Sequence, residues 1–162
     1  MIYKITGKSF THSDIYKEDG THLGTLDFSI FDLKVRGKLH TDSGQDFSLE
    51  ADSIFQKHFT VKEGSVAIGE INAKWFSGKL DLTSKKGLKY SLNWEGFFNN
   101  RLAMYNEAGV EVAHIRWHTQ LFKLGHEWFL EIDDNYPDVN EEEMVMVICY
   151  FFSRVFGTPS VF

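Results

Sequence analysis

Apolar and polar residues alternate with period two along much of this chain, which is the signature of strands with one buried face. In Leu33-Lys34-Val35-Arg36-Gly37-Lys38-Leu39 the apolar residues fall on one face and the basic ones on the other. Shorter runs of the same kind are Phe47-Ser48-Leu49, Val66-Ala67-Ile68, Leu80-Asp81-Leu82 and Tyr90-Ser91-Leu92. Two longer ones are Val110 to Trp117 and Trp128 to Ile132. Turn residues bound them, among them Asp19-Gly20, Asp42-Ser43-Gly44, Lys86-Gly87 and Glu107-Ala108-Gly109. About a dozen short strands at this spacing predict a sandwich or a closed barrel. Connections so short make neighbouring strands antiparallel, because parallel pairs need long crossovers.

The pattern also repeats. Gly24, Gly37, Gly44, Phe47, Leu49 and Gly64 have counterparts at Gly69, Gly78, Gly87, Tyr90, Leu92 and Gly109. Two similar multi-strand units, about 24–64 and 69–109, are therefore expected within a single domain spanning 1–162.

The C-terminal segment reads differently. Tyr136-Pro137-Asp138 interrupts the strands, Asn140 and Glu143 have capping-box spacing, and Glu141 to Glu143 suit the positive end of a helix dipole. Arg154 stands in the last turn, and Gly157 with Pro159 ends the helix, which is expected over about 140–156. Met144 to Phe152 carries no polar stripe, and a helix apolar on every side is buried on every side. The run is far shorter than the ~20 residues of a membrane span. About 16 helical residues extend ~24 Å, the height of a barrel. The strand-forming character of Val, Ile and Phe offers a β-strand as the other reading; the capping signals favour the helix.

Together these features resemble the tubby C-terminal-like superfamily, which includes the LURP-one-related proteins and the phospholipid scramblases. The resemblance rests on Gly37-Lys38-Leu39 and Gly78-Lys79-Leu80, on Gly87-Leu88-Lys89-Tyr90-Ser91-Leu92, and on Tyr105-Asn106-Glu107-Ala108-Gly109 leading into Val112-Ala113. The terminal helix completes it, and it covers roughly Tyr16 to Phe156. It implies a closed antiparallel barrel of about twelve strands around a buried apolar C-terminal helix. Relatives bind phosphoinositides or membranes, or have no assigned activity, so the resemblance implies one of these; the dense lysine-arginine cluster of the lipid-binding members is absent from this chain.

Composition narrows the function classes. A chain of 162 residues with 43% hydrophobic and 25% charged content is globular rather than disordered. The net charge of -6 argues against nucleic acid as a partner, since a phosphate backbone calls for a field of Lys and Arg. The one cysteine, Cys149, has no partner for an intramolecular disulfide and points to a reducing, cytoplasmic setting. The N-terminal residues alternate in character and lack the apolar core of a signal peptide.

Candidate chemistry is sparse. No nucleophile elbow, P-loop or dinucleotide fingerprint occurs, and Cys149 lies in the apolar run, so no catalytic residue and no cofactor is assigned. Lys34, Arg36 and Lys38 form a basic stripe suited to an anion or an acidic lipid headgroup, against the plainer reading of a solvated strand face. Lys85, Lys86 and Lys89 lie near the matching turn of the second unit. His114, Arg116 and His118 share one strand face and form a second anion candidate; as a metal site they lack a third ligand. His12, His22, His40, His58 and His126 are scattered and lack metal-ligand spacing, so no metal is assigned. The composite expectation is a non-enzymatic binding domain, its partner a protein or an anionic membrane surface. Two alternatives stay open: a barrel that binds a small hydrophobic ligand beneath a helical lid, and a hydrolase whose site assembles only in the fold.

Overall fold

The computed structural model describes residues 1–9, 11–29, 32, 34–52, 58–74, 79–95, 101–119 and 126–133, without the side chains of 117–119 and 126. Twelve strands follow one another: β1 (Ile2–Gly7), β2 (His12–Lys17), β3 (His22–Phe28), β4 (Val35–Thr41), β5 (Asp46–Ala51) and β6 (His58–Glu63), then β7 (Val66–Lys74), β8 (Lys79–Ser84), β9 (Lys89–Glu95), β10 (Arg101–Asn106), β11 (Glu111–Thr119) and β12 (His126–Ile132). Each pairs antiparallel with its neighbours in sequence, and β12 pairs with β1, closing the barrel. Closure pairs both edges of each of the described strands, so among them no open sheet edge is left. Among the described residues there is no helix. The helix expected over about 140–156 lies outside them.

Alternation explains the wall. Every strand contributes an apolar residue no more than 1% exposed, from Ile5 on β1 through Leu49 on β5 and Ile71 on β7 to Leu130 on β12. These residues meet across strands, as in Ile5 with Ile15, Leu26 with Leu39, Leu49 with Val61, and Ile115 with Leu130. Burying each such side chain contributes about 1.5–3 kcal/mol.

Turn chemistry sets one end of the barrel. Gly20, Gly44, Gly64, Gly87 and Gly109 all take positive φ. They sit in the connections that follow β2, β4, β6, β8 and β10, which an up-and-down topology gathers at a single end. Gly24 has a different reason to be glycine: a Cβ there would stand 2.1 Å from the backbone oxygen of His40 on the adjacent strand.

Candidate functional site: an unpaired arginine at a strand bulge

The entry to β4 is held from three sides. Asp32 accepts the backbone N–H groups of Lys34 at 2.8 Å and Val35 at 2.9 Å, while its own N–H donates to Ser29 Oγ at 2.9 Å. Those backbone donors hold the Asp32 carboxyl below its ordinary range. On the flanks, the N–H of Ala51 donates to the Lys34 carbonyl at 2.7 Å and that of Ser29 to the Arg36 carbonyl at 3.0 Å.

Within this frame the ladder slips by one residue. Val35 stands opposite Glu50 and Gly37 opposite Leu49, so Arg36 is the extra residue of a bulge. Bulges re-aim side chains, and here the alternation breaks. Lys34 and Lys38 are exposed while Arg36 is only 7% exposed, so the three do not form the single solvated face that strict alternation predicts. The Arg36 Nε is buried and has no hydrogen-bond partner. No ion pair among the described residues involves Arg36, and the neighbouring Glu50 is taken by Lys62 at 2.6 Å. A guanidinium offers planar donors matched to the oxygens of a phosphate or carboxylate, and the flanking lysines add positive charge.

The second candidate group is differently placed. His114 is 8% exposed, with Nδ1 2.8 Å from Glu111 and Nε2 3.3 Å from Glu131. Arg101 bridges Glu95, at 2.6 Å, and Glu111; the Tyr105 hydroxyl also donates to Glu95. Burial, then the Arg101 charge, push the His114 pKa down. Tyr105 and Arg101 hold Glu95 low. Carboxylates, rather than donors for an anion, therefore surround His114. Arg116 is exposed, and His118 pairs through its backbone with Glu127. A depression of about 450 Å³ over this region is lined by Glu111, His114, Glu131 and Asp133.

A third group escapes sequence reasoning. On the wall of β2 to β4, His12 Nδ1 lies 2.7 Å from Asp27, and His22 Nδ1 lies 2.7 Å from Asp42. The Nε2 atoms of both rings face Asp14 Oδ1, at 4.0 and 3.6 Å. Asp14 is 2% exposed; its Oδ2 meets Lys8 Nζ at 2.6 Å and its Oδ1 has no hydrogen-bond partner. Burial pushes the Asp14 carboxyl up, but the Lys8 and His22 contacts outweigh it and the net shift is downward. The Asp42 hydrogen bond leads the causes that raise His22. Among the described residues no three His, Cys, Asp or Glu side chains are arranged to hold a metal ion. These residues are far apart in sequence and meet only through strand register, which alternation alone does not supply.

Comparison with known proteins places the architecture and nothing finer. No family model matches the chain, and no curated protein matches it. The X-ray structure of a protein from Arabidopsis thaliana superimposes with a TM-score of 0.58 at 15% identity, covering 92% of this chain and 89% of that one. At that identity the likeness speaks for the fold alone: this chain, a closed barrel of twelve antiparallel strands, is similar in overall fold to a solved plant protein.

Proposed function

We propose that this protein is a non-enzymatic, tubby-like binding domain whose Arg36 site, flanked by Lys34 and Lys38, receives the phosphate of acidic lipid headgroups. One observation carries the reading: Arg36 is only 7% exposed, its Nε has no hydrogen-bond partner, and among the described residues no ion pair involves it, Asp32 acting on it only as a nearby charge. A buried unpaired polar group costs about 1–3 kcal/mol, more if charged. In this reading the missing counter-charge is supplied by an external phosphate. With a net charge of -6 the domain is held at an anionic surface locally, each nearby cation contributing about 1 kcal/mol.

In this reading the apolar segment 144–152 fills the barrel as a helix and directs any ligand to the outside. Small barrels of about eight strands are filled by their own side chains, and twelve strands enclose more space. The near-zero exposure of inner-wall residues such as Leu39, Leu49 and Ile71 supports a filled interior.

Flotation with phosphatidylcholine vesicles, with and without phosphatidylserine, tests the assignment. Binding should require the anionic lipid and fall away in a Lys34→Gln/Arg36→Met/Lys38→Gln variant. Equal binding of that variant, or no binding by the wild type, would overturn the lipid reading and favour a protein partner.

A further inference from the structure

The β4 site adjoins a row of charges across the outer wall. Lys38 on β4 stands directly opposite Asp27 on β3. Asp27 in turn holds His12 on β2, and beyond it lie Asp14, His22 and Asp42. Cross-strand partners lie ~5 Å apart at Cβ, so the Asp27 carboxylate that holds His12 stands beside Lys38 without forming an ion pair with it.

The ring orientations make this row sensitive to protons. A neutral imidazole that donates its Nδ1–H to Asp27 or Asp42 presents a lone pair at Nε2. Both lone pairs then face Asp14 Oδ1, an oxygen with no hydrogen-bond donor of its own. Lone pairs facing a carboxylate oxygen repel; an added proton on each Nε2 turns the contact attractive. The other groups on this wall are Lys8 from the β1–β2 connection, Tyr16, whose ring meets His22 edge-on at 5.2 Å, and His40, opposite Thr25 and 2.5 Å from Asp46.

We infer that His12 and His22 form a proton-operated regulator of the β4 site, resting on the phosphate-binding reading above. With both rings neutral, Asp14, Asp27 and Asp42 outweigh Lys8 and Lys38. With both protonated, the two added charges offset the excess of carboxylates, His12 offsets Asp27, and the negative field beside Lys38 falls. The raised position of His22 puts its part of the change nearer neutrality than for an ordinary histidine.

The test measures binding to phosphatidylcholine–phosphatidylserine vesicles at about pH 6 and about pH 8, across the titration range of histidine. Exposed charge pairs of this kind predict affinity roughly two- to fivefold tighter at the lower pH. A His12→Gln/His22→Gln variant should bind with the pH dependence removed. In a second variant, Asp27→Asn should bring binding at the higher pH up to the acidic level. Intact binding with the same pH dependence in the double variant, or with none in the wild type, overturns the regulator and leaves the phosphate site standing. No binding at either pH overturns both.

Discussion

Replacing Arg36 by methionine separates the binding role of this residue from a structural one. Methionine keeps the length of the apolar stem and deletes the guanidinium, so packing along the strand changes little. The wild-type side chain is 7% exposed, its Nε is orphaned, and no carboxylate pairs with it among the described residues. Removal breaks no ion pair among the described residues, costs Asp32 only a small part of its positive surroundings, and relieves a desolvation cost of about 1–3 kcal/mol. Exchanges of buried charge for apolar volume are neutral or stabilising by about 1–4 kcal/mol. The two estimates overlap over about 1–3 kcal/mol of added stability. For a urea slope of about 2 kcal/mol per molar, the unfolding midpoint rises by roughly 0.5–1.5 M. The same variant should lose binding to anionic vesicles, a trade of affinity for stability. Arg36→Lys should fall between, keeping the charge but not the fork of donors. A fall in the midpoint by more than about 1 kcal/mol equivalent, with vesicle binding retained, would show that Arg36 serves the fold and would refute the assignment.

Other perturbations test the frame around the site. Gly24→Ala should destabilise by about 3 kcal/mol or more in urea titration, because its Cβ meets the His40 backbone rather than a movable side chain; a loss below about 1 kcal/mol would contradict the close approach of β3 and β4. Leu49→Ala should cost about 2–5 kcal/mol as a cavity in the inner wall, read as a lowered midpoint at unchanged slope. Ile148→Asp should abolish cooperative unfolding if 144–152 fills the barrel, since an unpaired buried charge costs several kcal/mol; a soluble two-state variant would sink that proposal. Asp14 is held below its unfolded pKa, so its contribution is present above about pH 4 and is lost as pH falls through the lower folded value. Lys8→Met removes one cause of that depression and should move the acid limb of the stability curve to higher pH; an unmoved limb would show that the Lys8 contact is inconsequential.

Much of the barrel was legible because its wall obeys one rule. Strand after strand places apolar residues at alternate positions, and glycine-bearing turns at Gly44, Gly64, Gly87 and Gly109 mark where the chain reverses. Barrel and sandwich share that local grammar. Closure depends on β12 finding β1, a pairing of residues more than a hundred positions apart. The site was half legible. Lys34, Arg36 and Lys38 stand out as a basic stripe, but alternation puts all three on one face, and the slip between Val35 and Gly37 leaves Arg36 buried between its exposed lysine neighbours. His12 and His22 read as scattered for the same kind of reason, since register and a shift at Ile15 and Tyr16 bring them to Asp14. The acids that pair with His114 come from two strands, Glu111 from its own β11 and Glu131 from β12.

The most direct test of the anion site is a titration of the isotope-labelled wild-type protein with glycerol 3-phosphate, followed by amide chemical shifts. Saturable shifts should centre on Lys34 to Lys38 and on Leu49 and Glu50 across the bulge, and should vanish in Arg36→Met. Shifts centred elsewhere on the barrel, or the same shifts in the variant, would contradict a phosphate site at Arg36.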